Sequence, residues 1–236
     1  MDVVATLARA GAPEGLVVVA DEQTSGRGRA GRSWVAPAGT ALLCSTLLRP
    51  QVRSEYLSAL PLLVGVAVAR AIEALAPVTA SVKWPNDVLI GGRKVAGILL
   101  NVRAVTDRVE FVVAGTGINI SGGLPLSGDA ISMEECARRP IDRNVLLDRL
   151  LDELSSVYTG FLEAPAEPDL EPWRARAYLR SEEVVIRDGG RELAGLYRDV
   201  DPSGALLLEE VDGSIRRIVS GDLIRGPRPL RQAGVA

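Results

Sequence analysis

The chain has 236 residues, 47% of them hydrophobic, and a net charge of −3. That allows one large core, or a core plus a small second domain, and argues against a chain whose main partner is nucleic acid. Histidine is absent, which removes Ser/His/Asp and Cys/His catalysis and the commonest transition-metal ligand together. Cys44 and Cys136 have neither metal-type spacing nor the density of a disulfide framework, so a reduced, cytoplasmic compartment is expected. No positive leader with an apolar core is visible at the N-terminus, and the most apolar run, Leu57 to Ala69, is too short to span a bilayer.

In chain order, Asp2 to Ala10 reads as a short helix ended by Gly11 and Pro13. Leu16 to Ala20 and Ala41 to Leu48 are β-branched or apolar runs and read as strands. Ser54 to Ala76 is apolar almost all round, which predicts a buried helix. Pro61 fits only near its start, so regular helix is expected from about Ser58. Val78 to Lys83, Val88 to Ile90, Arg93 to Val102 and Glu110 to Gly117 are further strands, with Gly91-Gly92 as a hairpin turn. Strands follow one another here without intervening helices, which favours a mixed or antiparallel sheet over a doubly wound one.

Ser121 to Ser132 is a Gly/Pro/Ser-rich loop. Asp142 can cap a helix reaching about Leu162, with Leu147, Leu150, Leu151, Leu154, Tyr158 and Phe161 on one face. Leu170 to Leu179 reads as another helix. From about Ser181 short β-runs alternate with turns, as in a small barrel, and the tail from Gly226 shows no pattern.

Two stretches carry chemistry. Gly26-Arg27-Gly28-Arg29-Ala30-Gly31-Arg32 packs three glycines and three arginines into seven residues with no acid among them. Glycine lets a ligand approach the backbone, and arginine offers a fixed fork for carboxylate or phosphate. The stretch lacks the Gly-Lys-Ser/Thr ending of a Walker loop and fits the dinucleotide fingerprint poorly. A basic surface loop that touches RNA is the bland alternative, weakened by the apolar strands on either side. Lys83-Trp84-Pro85-Asn86-Asp87 combines a cation, an aromatic, a rigid corner and an acid.

Taken in order, Gln23 with Gly26 to Trp34, Lys83 to Asp87, Lys94-Val95-Ala96-Gly97-Ile98-Leu99 and Gly115-Thr116-Gly117-Ile118-Asn119 resemble biotin–protein ligases (biotin–acetyl-CoA-carboxylase ligases). The resemblance runs from about Leu16 to the β-rich C-terminus. It implies an α+β fold: a mixed-sheet catalytic domain with flanking helices, over residues 1–180, followed by a small SH3-like β-barrel over 181–236. It implies that biotin and ATP are joined as biotinyl-5′-AMP and that biotin then passes to a lysine of a biotin carboxyl carrier protein.

Carried over by motif, Arg27, Arg29 and Lys94 are the catalytic candidates. Gln23, Arg27, Gly28, Arg29 and Lys94 would line the biotin site over a floor of Gly97, Gly115 and Gly117. Arg29, Arg32, Trp34, Asp87, Lys94 and Asn119 would face the adenylate, with Trp34 and Asn119 on the adenine and Asp87 beside a Mg2+ brought by the nucleotide.

The chain departs from the family pattern at its start. Many relatives carry an N-terminal DNA-binding domain, whereas the catalytic motifs here begin at Gln23, so ligase activity without operator binding is expected. Relatives also carry a Ser-Thr-Asn-type segment and a strand before the first helix, and Met1 falls about where that segment would end. Two lost hydrogen bonds at roughly 0.5–1.5 kcal/mol each would weaken biotin binding by about one to two orders of magnitude. The sheet would also lack an edge neighbour. A lipoate- or octanoate-type ligase and a non-catalytic biotin or adenylate binder are the alternatives. Neither DNA nor a membrane is an expected partner, and a homodimer is one of the oligomeric states left open.

Overall fold

The structure, a computed structural model, describes residues 1–121, 129–188 and 190–225. Helix α1 (Asp2–Arg9) precedes strand β1 (Val17–Ala20), the hairpin of β2 (Gln23–Arg27) and β3 (Ser33–Ala36), and strand β4 (Ala41–Leu48). A 3-10 stretch, Ser54–Ala59, runs into α2 (Leu60–Leu75). Then come β5 (Ala80–Lys83), β6 (Asp87–Ile90), β7 (Arg93–Val105) and β8 (Arg108–Asn119). Helices α3 (Met133–Ala137), α4 (Arg143–Glu163) and α5 (Glu171–Arg174) lead to β9 (Glu183–Asp188), β10 (Arg191–Val200), β11 (Leu206–Glu209), β12 (Ile215–Ile218) and β13 (Asp222–Arg225).

The main sheet has the order β1-β4-β8-β7-β6-β5, and every pairing between its strands is antiparallel. The α+β class therefore holds, with the antiparallel arrangement realised between the strands. Parallel contact is confined to isolated bridges such as Val82 with Ala177. Antiparallel pairing places alternate residues of each strand on opposite faces, and the two faces are covered differently. One face packs on α2 and α4. Helix α2 is apolar almost all round and is enclosed, as expected, with Pro61 in its first turn where no hydrogen bond is lost.

Two details of these helices add to what was expected. The helix expected over Ser54 to Ala76 is found from Ser54 to Leu75, so the helical run extends beyond its most apolar part, Leu57 to Ala69. The run is long and apolar enough to cross a membrane by length and composition, yet 72% of its apolar 18-residue window is buried inside the fold. Asp142 caps α4 by accepting from the backbone N–H groups of Asn144 and Val145. The buried stripe begins at Leu146, one residue before the expected Leu147.

The opposite face is only half covered. Val4, Ala5 and Ala8 of α1 pack there on Leu47, Phe111 and Val113. Arg49 closes this end, donating to the carbonyls of Ala8 (2.8 Å) and Ala12 (2.9 Å), with its guanidinium 5.9 Å from the Phe111 ring centre. The rest of that face is left to a cavity.

Two expectations need correction. Leu170 to Leu179 is not one helix: α5 ends at Arg174, and the following chain lies along β5. The Val82 N–H donates to the Arg176 carbonyl, and the Tyr178 N–H to the Val82 carbonyl. The sheet edge takes the backbone groups that a helix would have used. The Gly/Arg stretch is not a plain loop but a hairpin, in which Gly26 pairs with Trp34 and Arg27 with Ser33. Strand β13 follows the Ser220-Gly221 turn and pairs with β9 in a second sheet of order β12-β11-β10-β9-β13, the small β-unit expected at this end. The loop part at 122–128, Gly189 and the tail from Gly226 lie outside the described residues.

The small sheet is fixed to the large one at the β10–β11 turn. The buried Trp84 indole donates to the Gly204 carbonyl at 3.0 Å. Gly204 has φ +82°, and a Cβ there would lie 2.8 Å from Ala59 Cα and from the Ser58 carbonyl oxygen, backbone atoms that cannot step aside. Gly204→Ala is expected to cost about 2–4 kcal/mol, from a left-handed alanine plus overpacking. Urea unfolding checks this, and a change below 1 kcal/mol would show that the turn is not locked.

Candidate active site

Register alone assembles the floor of the cavity. In one cross-strand row Lys83 faces Asp87, Asp87 faces Gly97, Gly97 faces Gly117, Gly117 faces Leu43 and Leu43 faces Ala20. In the adjacent row Leu99 faces Gly115, Gly115 faces Ser45 and Ser45 faces Val18. All of these residues line one cavity of about 440 Å3, within the usual range for a small-molecule site. The glycines are needed for space. A Cβ on Gly117 would stand 2.9 Å from the Trp34 ring, one on Gly97 would stand 3.1 Å from it, and one on Gly115 would stand 2.7 Å from Met1 Sδ.

Lys94 reaches the same face through a bulge. It stands three positions before Gly97, and an odd spacing in a regular strand puts two residues on opposite faces. Here Val88 pairs with Ala96 but Leu89 pairs with Lys94, so Val95 is an extra residue and Lys94 turns toward the cavity. Its ammonium lies 2.6 Å from Asp87 and 5.4 Å from the centre of the Trp34 ring.

The hairpin brings the arginines over this floor. Its tip is a tight 3-10 turn in which Ala30 (φ 52°) and Gly31 (φ 73°) are left-handed, and the Gly28 N–H donates to the Arg32 carbonyl at 2.6 Å. The three arginines are engaged differently. Arg27 is paired with Asp2 at 2.8 Å, and both side chains are 70% exposed. Arg32 binds both carboxylate oxygens of Asp222, on β13, and that hydrogen bond raises its pKa. Arg29 donates to Asn86 Oδ1 at 3.4 Å. Burial lowers its pKa, while the Asp222 carboxylate pulls the other way.

The structure thus brings Gln23, Arg27, Gly28, Arg29, Arg32, Trp34, Asp87, Lys94, Gly97, Gly115 and Gly117 to one wall-to-wall cavity. Asn119 is not among its lining residues. Its buried amide donates to the carbonyls of Ile131 (3.1 Å) and Lys94 (3.4 Å), so it steadies the strand that carries Lys94. Sequence reasoning placed Lys83 and Asn86 in a motif but gave them no role in the site, and it missed Ser45. It also missed Asp222, Leu223 and Ile224, which reach the cavity from the small sheet. Asn86 stood inside a recognised motif; Asp222, far along the chain from the arginine it binds, gave no signal.

Trp34 Nε1 is buried without a partner among the described residues. Cys44 also lines the cavity, but burial pushes its thiol pKa up, so it offers little thiolate nucleophile. No group of three or more potential metal-binding residues exists among the described residues. Asp87 is a single carboxylate already held by Lys94. That donor set fits a divalent ion arriving on a nucleotide, which keeps its waters and takes one carboxylate, rather than a resident metal.

Residues 5–119 match the biotin/lipoate A/B protein ligase family and residues 182–226 match the biotin protein ligase C terminal domain. The bifunctional ligase/repressor BirA of Bacillus spizizenii is 36% identical over 93% of this chain and 69% of its own length. The biotin–[acetyl-CoA-carboxylase] ligase of Mycobacterium tuberculosis is 34% identical over 94% of this chain and 84% of its own. Among solved structures, the biotin protein ligase of Aquifex aeolicus in complex with biotin and ATP superposes with a TM-score of 0.79 at 30% identity, covering 94% of each chain. The first of these families spans both biotin and lipoate enzymes; the C-terminal match and the named relatives narrow the choice, and the chain belongs to the biotin protein ligases.

Proposed function

We infer that the cavity carries both half-reactions of a biotin–protein ligase. The observation that supports this most directly is the placement of three cations, Arg27, Arg29 and Lys94, around one glycine-floored slot. In the first step an oxygen of the biotin carboxylate attacks the α-phosphorus of ATP. The bond to pyrophosphate breaks, and biotinyl-5′-AMP forms. Two anions must meet, and unit charges about 4 Å apart repel by about 4 kcal/mol at an effective dielectric near 20. Arg29 and Lys94 offset that repulsion and hold the line of attack. In the second step a neutral lysine amine of the carrier attacks the acyl carbon, AMP leaves with the electron pair, and the amine gives up a proton. Neither step needs a nucleophile from the enzyme, so the absence of histidine is no obstacle.

The remaining roles are proposed from the motifs and from the lining of the cavity. Gly97, Gly115 and Gly117 are proposed as the floor of the biotin slot, which the Trp34 ring and Met1 overlie in this structure, with Gln23 and Gly28 beside it. Trp34 and Arg32 face the adenylate. Asp87 would be the carboxylate ligand of a Mg2+ held mainly by nucleotide phosphates, which supplies charge neutralisation there. The carrier is proposed to be the biotin carboxyl carrier protein of acetyl-CoA carboxylase, and the compartment the cytoplasm. The ligase domain is assigned to residues 1–180 and the barrel to 181–236.

Biotin-dependent exchange of pyrophosphate into ATP tests the reading. Exchange with biotin and none with lipoate is expected, and the reverse would move the chain to the lipoate branch. Arg29→Ala and Lys94→Ala should each lose about tenfold or more in exchange rate, as removal of a charged transition-state contact does; near-normal rates in both would place the grip elsewhere. Asp87→Asn should raise the Mg2+ concentration for half-maximal exchange by roughly threefold or more, since one of few protein ligands is weakened. An unchanged Mg2+ dependence would remove Asp87 from that role.

A further inference from the structure

Arg29 is the one arginine of the hairpin that meets no carboxylate within ion-pair distance among the described residues; its neighbours in the motif, Arg27 and Arg32, each have one. Its side-chain partner is a neutral amide, Asn86 Oδ1, at 3.4 Å. Asn86 is itself fixed at two points. Its Nδ2 donates to the Ile98 carbonyl at 2.7 Å, and its backbone carbonyl accepts from the Ile98 N–H at 2.9 Å. The Nδ2 bond decides which way the amide faces, because only one orientation puts the donor on Ile98 and leaves the oxygen for Arg29. The corner that carries Asn86 is anchored in turn, with Trp84 bound to Gly204 and Asp87 to Lys94.

We propose that Asn86 is a positioning residue for adenylation: it aims the Arg29 guanidinium into the cavity while leaving its charge unspent. A carboxylate in the same place would hold Arg29 equally well but would offset part of its charge, as Asp87 does for Lys94, whereas the amide leaves it to the reacting anions. Contacts of this kind are often long without ligand and tighten when the reaction complex forms. The proposal rests on the ligase reading above and adds a residue that acts only through Arg29.

A double-mutant cycle tests it in the full-length chain, with biotin-dependent pyrophosphate exchange as the rate and thermal unfolding as the control for folding. Asn86→Ala is expected to lower kcat about tenfold with a smaller change in the KM for biotin, because the interaction lost is one made in the transition state. In the Arg29→Ala background the same change should cost less than about twofold further, since residues acting through one another are not additive. Asn86→Ser, which keeps a polar group at the corner, replaces the alanine variant if that variant does not fold, with the same non-additivity expected. If the wild type exchanges normally and the two losses multiply, the ligase reading stands and the positioning role is overturned. If the wild type shows no exchange with biotin, the ligase reading fails and this assignment falls with it.

Discussion

The site depends on strand register. Asp87, Gly97 and Gly117 face one another across β6, β7 and β8, and one extra residue, Val95, brings Lys94 into the same row's neighbourhood. A one-residue slip in any of these pairings would send the glycines to the helix-covered face and close the slot with side chains. The buried layer under the sheet resists such a slip. Helix α2 and the stripe of α4 from Leu146 to Phe161 pack on the face whose residues would have to change places with the glycines. The core thus holds the site open from behind.

Above the floor, charge is distributed by what each arginine is allowed to touch. Arg27 and Arg32 are tied to acids at the edges of the hairpin, one on α1 and one on the small sheet. Arg29, between them, is given an amide. The outer two pairs are exposed and screened, so they contribute little stability, but they tether the hairpin to both neighbouring elements. Asp222 does this from the small sheet, and Trp84 and Gly204 join the two units on the other side of the same corner.

Much of this was legible in the sequence, for identifiable reasons. The strands and the buried helix follow from apolar runs and from Pro61, and the cavity residues follow from motifs whose glycines and arginines have few structural explanations. What was not legible involves contacts that no local pattern records. Asp222 and the strand that carries it gave no signal, and Asn119 looked like a ligand contact although its amide is consumed by two carbonyls. The stretch after Trp173 has helix-forming composition, but the open edge of β5 competes for its backbone. Met1 and Val18 reach the cavity because the uncovered half of a sheet face is shared between α1 and the ligand slot.

The bulge at Val95 has a further consequence, for variation rather than for chemistry. Side chains at Val95 and Ala96 are buried beneath the sheet and can be exchanged for others of similar bulk. The number of residues between Lys94 and Gly97 cannot grow in the same way. Removing one would abolish the bulge, and the lysine would still pair with Leu89 on the same face as the glycine. Adding one would move the strand beyond it by a full pleat. The motif is therefore tolerant of substitution and intolerant of insertion, a constraint on length that composition does not reveal.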